Sequence, residues 1–172
     1  MERLWTPWRL AYVTGAAVSS EPTAGPPACL FCEAGAGSAE QDLVLLRGRF
    51  SFVILNRFPY NNGHLMVAPL RHVASLATAT DEELAEVMRF TRDAEIALTE
   101  AYAPHGINVG INLGRPAGAG IVDHLHVHLV PRWNGDTSFI SVIGNTRVLP
   151  EELGQTAARL RPIFERLAKD NA

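Results

Sequence analysis

The sequence has little cysteine, no excess of basic charge and no long apolar run. Cysteine occurs only as Cys29 and Cys32, too few for a disulfide framework. Their C-x-x-C spacing fits a metal or redox pair in a cytoplasmic protein better. Lys and Arg number 15 against 18 Asp and Glu, a formal net charge of -3. That balance excludes a bulk electrostatic pull on nucleic acid and leaves room only for a local basic pocket. Nothing approaches the roughly 18 apolar residues of a membrane span. The opening stretch MERLWTPWRLAYV carries charges and two Trp but no apolar core, so no secretory signal is visible. What remains is 172 residues that are 47% hydrophobic and 19% charged, the profile of one soluble globular domain with a sizeable core.

Along the chain, residues 1–13 are aromatic, and residues 14–28 (TGAAVSSEPTAGPPA) read as a flexible connector. From Asp42 onward the pattern is α+β. The apolar runs 43–47 and 51–56 suit strands of a hairpin. Pro59-Tyr60-Asn61-Asn62-Gly63 is a turn by composition, and His64–Ala68 reads as a further strand. Thr80 and Glu83 have capping-box spacing, and Asp81 and Glu82 suit the positive end of a helix dipole. Leu84, Val87, Met88, Thr91, Ala94, Leu98 and Ala101 then recur at helical spacing, and Pro104 and Gly106 end the helix. Residues 107–112 and 122–130 are expected as strands around the loop Gly114–Gly120. Residues 150–168 are expected as a helix, with Pro162 a kink or break.

Half of the six histidines lie in Asp123-His124-Leu125-His126-Val127-His128-Leu129-Val130. In a strand His124, His126 and His128 share one face, with steps of two residues spanning roughly 6–7 Å, and Leu125, Val127 and Leu129 share the other. Imidazole is costly to bury without partners. Three readings fit: a polar face on a solvated sheet, a metal site, or nucleophilic catalysis. In the last, one imidazole attacks phosphorus while its other nitrogen donates to a carbonyl, and its neighbours donate to phosphate oxygens.

H-x-H-x-H with apolar residues between, followed by Val130-Pro131-Arg132, resembles the motif of the histidine triad family. So do Asn56-Arg57-Phe58-Pro59-Tyr60-Asn61-Asn62-Gly63-His64-Leu65-Met66-Val67 and Asn112-Leu113-Gly114. The resemblance covers roughly residues 29–140. It implies an antiparallel sheet with one long helix packed on it, to which the residue pattern adds a C-terminal helix, and a homodimer. It also implies that His126 is the nucleophile, forming a nucleotidyl-imidazole intermediate. His128 would contact phosphates, His64 would support the triad, Asn56 would contact a ribose and Asn112 would approach the phosphates. Each has a plainer reading: Asn56 as a turn former, His64 as an ordinary strand histidine, Asn112 as a turn cap. Arg115, Gly118, Ala119 and Gly120 belong to a Gly-rich loop that either cradles phosphate or is simply a flexible connection. The chain departs from many family members at Gly120, where Gln or Ser is common, so only a backbone N–H acts there.

In zinc-bearing branches of the family two further ligands follow the second block and open the triad. The matching set here is Cys29, Cys32, His72 and His124, a candidate structural zinc site; the alternative is a pair of plain thiols. Trp5, Trp8, and the tail with Gly135-Asp136-Thr137 and Thr146-Arg147 resemble the bacterial branch that splits diadenosine tetraphosphate with inorganic phosphate. Trp5 and Trp8 suit packing at a subunit contact better than substrate stacking. The expected division is an extension and connector over 1–28, the family domain over 29–140 and an extension over 141–172. The expected partners are an adenine (di)nucleotide and inorganic phosphate, with no nucleic acid and no membrane. A dinucleoside polyphosphate hydrolase, an adenosine phosphoramidase and a nucleotide-binding sensor are the competing functions.

Overall fold

A computed structural model of the protein describes residues 29–38, 40–136, 143 and 149–170. The expectations for residues 1–28, including Trp5 and Trp8, and for Thr137 and Thr146-Arg147 lie outside these. Among the described residues eight main elements follow one another: α1 (Leu30–Ala36), β1 (Val44–Arg47), β2 (Ser51–Leu55), β3 (Leu65–Pro69), α2 (Asp81–Tyr102), β4 (Gly106–Ile111), β5 (Val127–Arg132) and α3 (Leu153–Asp170). The strands form one antiparallel sheet in the order β1-β2-β3-β5-β4. The expected α+β class, antiparallel sheet, long helix and C-terminal helix are all present.

β2 and β3 are buried along their whole length, which accounts for their unbroken apolar runs. Between them, Gly63 turns at φ 74°. A Cβ there would come within 3.2 Å of both Leu98 and Tyr102, so the turn needs glycine. α2 opens with the expected capping box: Thr80 accepts from the Glu83 amide, and Glu83 accepts from the Thr80 amide. Its buried stripe is Val87, Phe90, Thr91, Ala94, Ala97 and Leu98. Burying a side chain such as Val87, Phe90 or Leu98 contributes on the order of 2 kcal/mol. Met88, expected in that stripe, is 61% exposed, because Glu83 and Glu86 take the inward positions of the first turns instead. The Glu86 carboxylate accepts from the Phe50 and Ser51 amides and the Ser51 hydroxyl, clamping the β1–β2 hairpin. Ala103, in the left-handed region at φ 44°, ends the helix before Pro104, and Gly106 already belongs to β4.

Two further expectations need correction. The last strand begins at Val127, not residue 122, so His124 and His126 precede it and only His128 lies in a regular strand. Leu125 spends its amide on the Val73 carbonyl outside the sheet, and His124, Leu125 and His126 are all buried. The row is therefore no simple alternation of faces. α3 starts at Leu153 and runs through Pro162 without a break, because Ala157, Leu160, Phe164 and Leu167 keep one continuous stripe in the core. α1 had no periodic signal. It is only seven residues long, anchored by Phe31 and Ala34 and ended by Gly37 at φ 82°.

Candidate active site and metal centre

The histidines meet where β3 and β5 lie side by side, Met66 opposite His128. His64 Nδ1 takes the backbone N–H of Tyr60 at 3.1 Å and faces the Asn56 amide nitrogen at 3.3 Å. Both can only donate there, so Nδ1 is bare and the proton sits on Nε2. Nε2–H then donates to His128 Nδ1 at 2.9 Å, which places the His128 proton on its own Nε2. His126 is set differently: its Nδ1 lies 2.8 Å from the His124 carbonyl, to which it donates. Its remaining nitrogen, Nε2, therefore carries a free lone pair. The result is one acceptor nitrogen, on His126, beside one donor nitrogen, on His128, with ring centroids 4.7 Å apart.

Burial keeps the cluster neutral. His64 is wholly buried, and burial, then the neighbouring His128 and His126, lower its pKa to about 3. Burial and His126 bring His128 down to about 4. Burial holds His126 below the ordinary imidazole value, against the opposing pull of the His124 carbonyl. A neutral imidazole is the form that can attack.

His126 and His128 open onto a cavity of about 310 Å³ whose wall also includes Leu30, Phe31, Leu43 and Ile54, large enough for a small ligand. Asn56 and Gly120 line it as well. Asn56 is at once the turn former of the plainer reading, accepting from the Phe58 amide at 2.9 Å. Asn112, Arg115, Gly118 and Ala119 do not line the wall. The Asn112 amide donates to the Gly118 carbonyl at 3.4 Å. The Gly118 and Ala119 amides bond back to Arg115 and Gly114, because residues 115–117 form a 3-10 turn. The Gly120 amide makes no hydrogen bond among the described residues, and the Arg115 side chain is exposed.

Sequence reasoning missed Phe31 and Tyr60. Phe31 packs between His124 and His126, at centroid distances of 5.2 and 4.8 Å. Tyr60 packs on His64 at 4.6 Å and His128 at 5.8 Å. Their one signal was position: Phe31 between the two cysteines, Tyr60 four residues before His64.

On the other side of His124, Cys29, Cys32, His72 and His124 converge, one ligand atom each within 4.8 Å of the rest. Cys29 Sγ lies 3.3 Å and Cys32 Sγ 3.6 Å from His124 Nδ1, and Cys32 Sγ lies 3.2 Å from His72 Nδ1. Ligands held about 2.0–2.3 Å from a tetrahedral ion stand roughly 3.3–3.8 Å apart, so this cluster can hold a metal. His124 Nε2 donates to the Pro69 carbonyl at 2.8 Å, which leaves Nδ1 bare for a cation. Burial and the adjacent Cys29 push the Cys32 thiol up to about 11; a bound cation reverses that by favouring the thiolate.

A buried, neutral histidine cluster at the mouth of an apolar cavity, on a five-stranded antiparallel sheet, defines a protein equipped for nucleophilic attack on a small ligand. The HIT domain model matches residues 39–135, and the chain belongs to the HIT family. It is 46% identical over 157 residues to AP-4-A phosphorylase of Mycobacterium tuberculosis, covering 91% of this chain and 80% of that protein. It is 28% identical over 131 residues to the bis(5'-adenosyl)-triphosphatase of Dictyostelium discoideum, covering 73% and 87% respectively. Among solved structures, a Zn-bound histidine triad family protein from Mycobacterium smegmatis superposes with a TM-score of 0.68 at 28% identity, over 85% of this chain and 99% of that one.

Proposed function

We propose that the protein is an enzyme that splits diadenosine tetraphosphate with inorganic phosphate, through a nucleotidyl intermediate on His126. The observation that carries the reading is the bare Nε2 of His126, fixed by the Nδ1–H bond to the His124 carbonyl and set on the cavity wall. Nε2 attacks the α-phosphorus, a P–N bond forms, the P–O bond to the rest of the chain breaks, and ATP leaves. The His128 Nε2–H and the Gly120 amide donate to the phosphate oxygens as charge builds. His64 holds His128 in the tautomer that can do so. Inorganic phosphate then attacks the same phosphorus, breaks the P–N bond and releases ADP. In this reading Arg115, exposed in the neighbouring turn and off the cavity wall, is the cation that meets the incoming dianion. Asn56 contacts the ribose; Asn112 acts by holding the loop through Gly118.

Phosphate is favoured over water as the acceptor because Gly120 offers no side chain to position a water. The 46% identity to a phosphorylase, against 28% to a triphosphatase, points the same way. Zinc is the proposed occupant of the four-residue cluster, where it supplies a fixed tether rather than chemistry at phosphorus. We take 29–140 as the catalytic unit with extensions on either side, and a homodimer as the working assembly.

Product chromatography tests the acceptor. With millimolar phosphate the rate should rise and the products should be ADP plus ATP. AMP plus ATP at saturating phosphate would make the protein a hydrolase.

A further inference from the structure

Glu40 and Arg57 are the only charged residues on the cavity wall among the described residues, and the proposed chemistry uses neither. Glu40 precedes the short 3-10 turn Gln41–Leu43 and sits in the left-handed region at φ 55°, a conformation that a non-glycine residue rarely adopts. Its side chain is 12% exposed, against 56% for Arg57. Arg57 grips it with two prongs: Nε donates to Oε2 at 3.2 Å, and Nη2 meets Oε1 at 2.6 Å. The Glu40 backbone carbonyl accepts from the Leu43 and Val44 amides and so starts that turn. The ion pair itself, with one partner half in water, adds little stability, so stability does not explain a carboxylate on a mostly apolar wall. Backbone strain of this kind gathers at sites that touch ligands.

The two-pronged grip limits what the carboxylate can still do. A fork of two parallel N–H bonds uses the facing lone pair on each oxygen. Only the outward lone pairs remain, and they diverge. Guanine presents N1–H and its 2-amino group side by side, and its two-point bond to a carboxylate needs the two facing lone pairs that Arg57 occupies. Adenine presents a single donor on its Watson–Crick edge, the 6-amino group, which one outward lone pair can accept. Hypoxanthine places a carbonyl oxygen at that position, which a carboxylate repels.

We infer that Glu40 is the base-selecting residue of the cavity, its free carboxylate lone pair accepting the 6-amino group of adenine while Arg57 blocks the face that guanine would need. The inference rests on the proposed nucleotide reading but not on phosphorolysis.

Calorimetric binding of AMP, IMP and GMP tests it without turnover, so a failure of the phosphorylase assay leaves the result standing. The wild-type protein should bind AMP about tenfold more tightly than IMP or GMP, since a polar group left unpaired in a dry site costs affinity. In Glu40→Gln, whose amide can donate to a 6-oxo group, the AMP to IMP ratio should fall to within about threefold. In Arg57→Ala, a change at a half-exposed side chain, the freed carboxylate should accept guanine and raise GMP binding relative to AMP by about tenfold. An unchanged AMP to IMP ratio in the first variant, or an unchanged AMP to GMP ratio in the second, overturns the inference.

Discussion

Within the histidine cluster each proton is placed by a neighbour that has only one role open to it. The Tyr60 amide must donate, so His64 Nδ1 accepts; the His124 carbonyl must accept, so His126 Nδ1 donates. His126→Ala removes the one bare nitrogen on the cavity wall. It should cut turnover by several orders of magnitude while AMP binding stays within a few-fold; activity within about tenfold of wild type would remove His126 from its role. His64 makes a different prediction. It titrates near the ordinary imidazole value of about 6.5 in the unfolded chain but at about 3 in the fold. Between those values the unfolded state binds the extra proton. The stabilisation is therefore complete above about pH 6.5 and is lost as the pH falls towards 3, at up to about 1.4 kcal/mol per pH unit. Urea unfolding at pH 7, 6 and 5 should show the wild-type protein losing more stability per unit than His64→Gln. Parallel losses would mean that His64 is already charged in the fold.

At the level of elements, what could be read in advance depended on how local the cause was. The start of α2 was legible because the Thr80–Glu83 box is a four-residue matter. Its buried face was legible at Val87, Thr91, Ala94 and Leu98 but not at Met88, because Glu86 is drawn inward by amides 35 and 36 residues away. Glu86→Ala should cost about 3 kcal/mol in urea unfolding, since it orphans the Phe50 and Ser51 amides together; a loss below about 1 kcal/mol would show that water replaces the carboxylate there. The identities of the triad and of the Cys29, Cys32, His72 and His124 set were legible through resemblance. The path that brings His124 and His126 into place was not, because Leu125 between them turns its amide away from the sheet to the Val73 carbonyl, which no local pattern encodes. α1 was hidden for the same reason: its Phe31 packs against His124 and His126, far along the chain, and Cys29 and Cys32 meet His72 and His124 in the four-residue cluster. If zinc fills that cluster, Cys29→Ser with Cys32→Ser should remove about one zinc per chain by elemental analysis and lower the melting temperature by several degrees. It should also reduce kcat by about tenfold, as Phe31 slackens against His126, without abolishing the reaction. Metal-free wild-type protein, purified without chelator, would refute the site.

For the whole molecule the outstanding feature is an open edge. β4 pairs with β5 on one side and with no other strand among the described residues. Its sequence, Gly106-Ile107-Asn108-Val109-Gly110-Ile111, carries no charge and no proline, and its register with β5 shows no bulge. Edge strands of stable monomers are usually guarded by one of those devices. Here the edge also presents apolar surface: Val109 is 52% and Leu113 47% exposed. Gly106 and Gly110 leave the backbone open, with no atom within 4 Å of a built Cβ. A second copy of the same strand, related by a twofold axis, satisfies both the unpaired amides and the apolar side chains, and a twofold contact closes rather than propagating into a fibre. The proposed homodimer should therefore pair through β4. Val109→Lys would set two like charges on the shared edge. It should convert the dimer to a monomer in light scattering at micromolar concentration, with the circular dichroism of the subunit unchanged. A wild-type protein that already runs as a monomer under those conditions, or a Val109→Lys variant that stays dimeric, would place the subunit contact elsewhere or remove it.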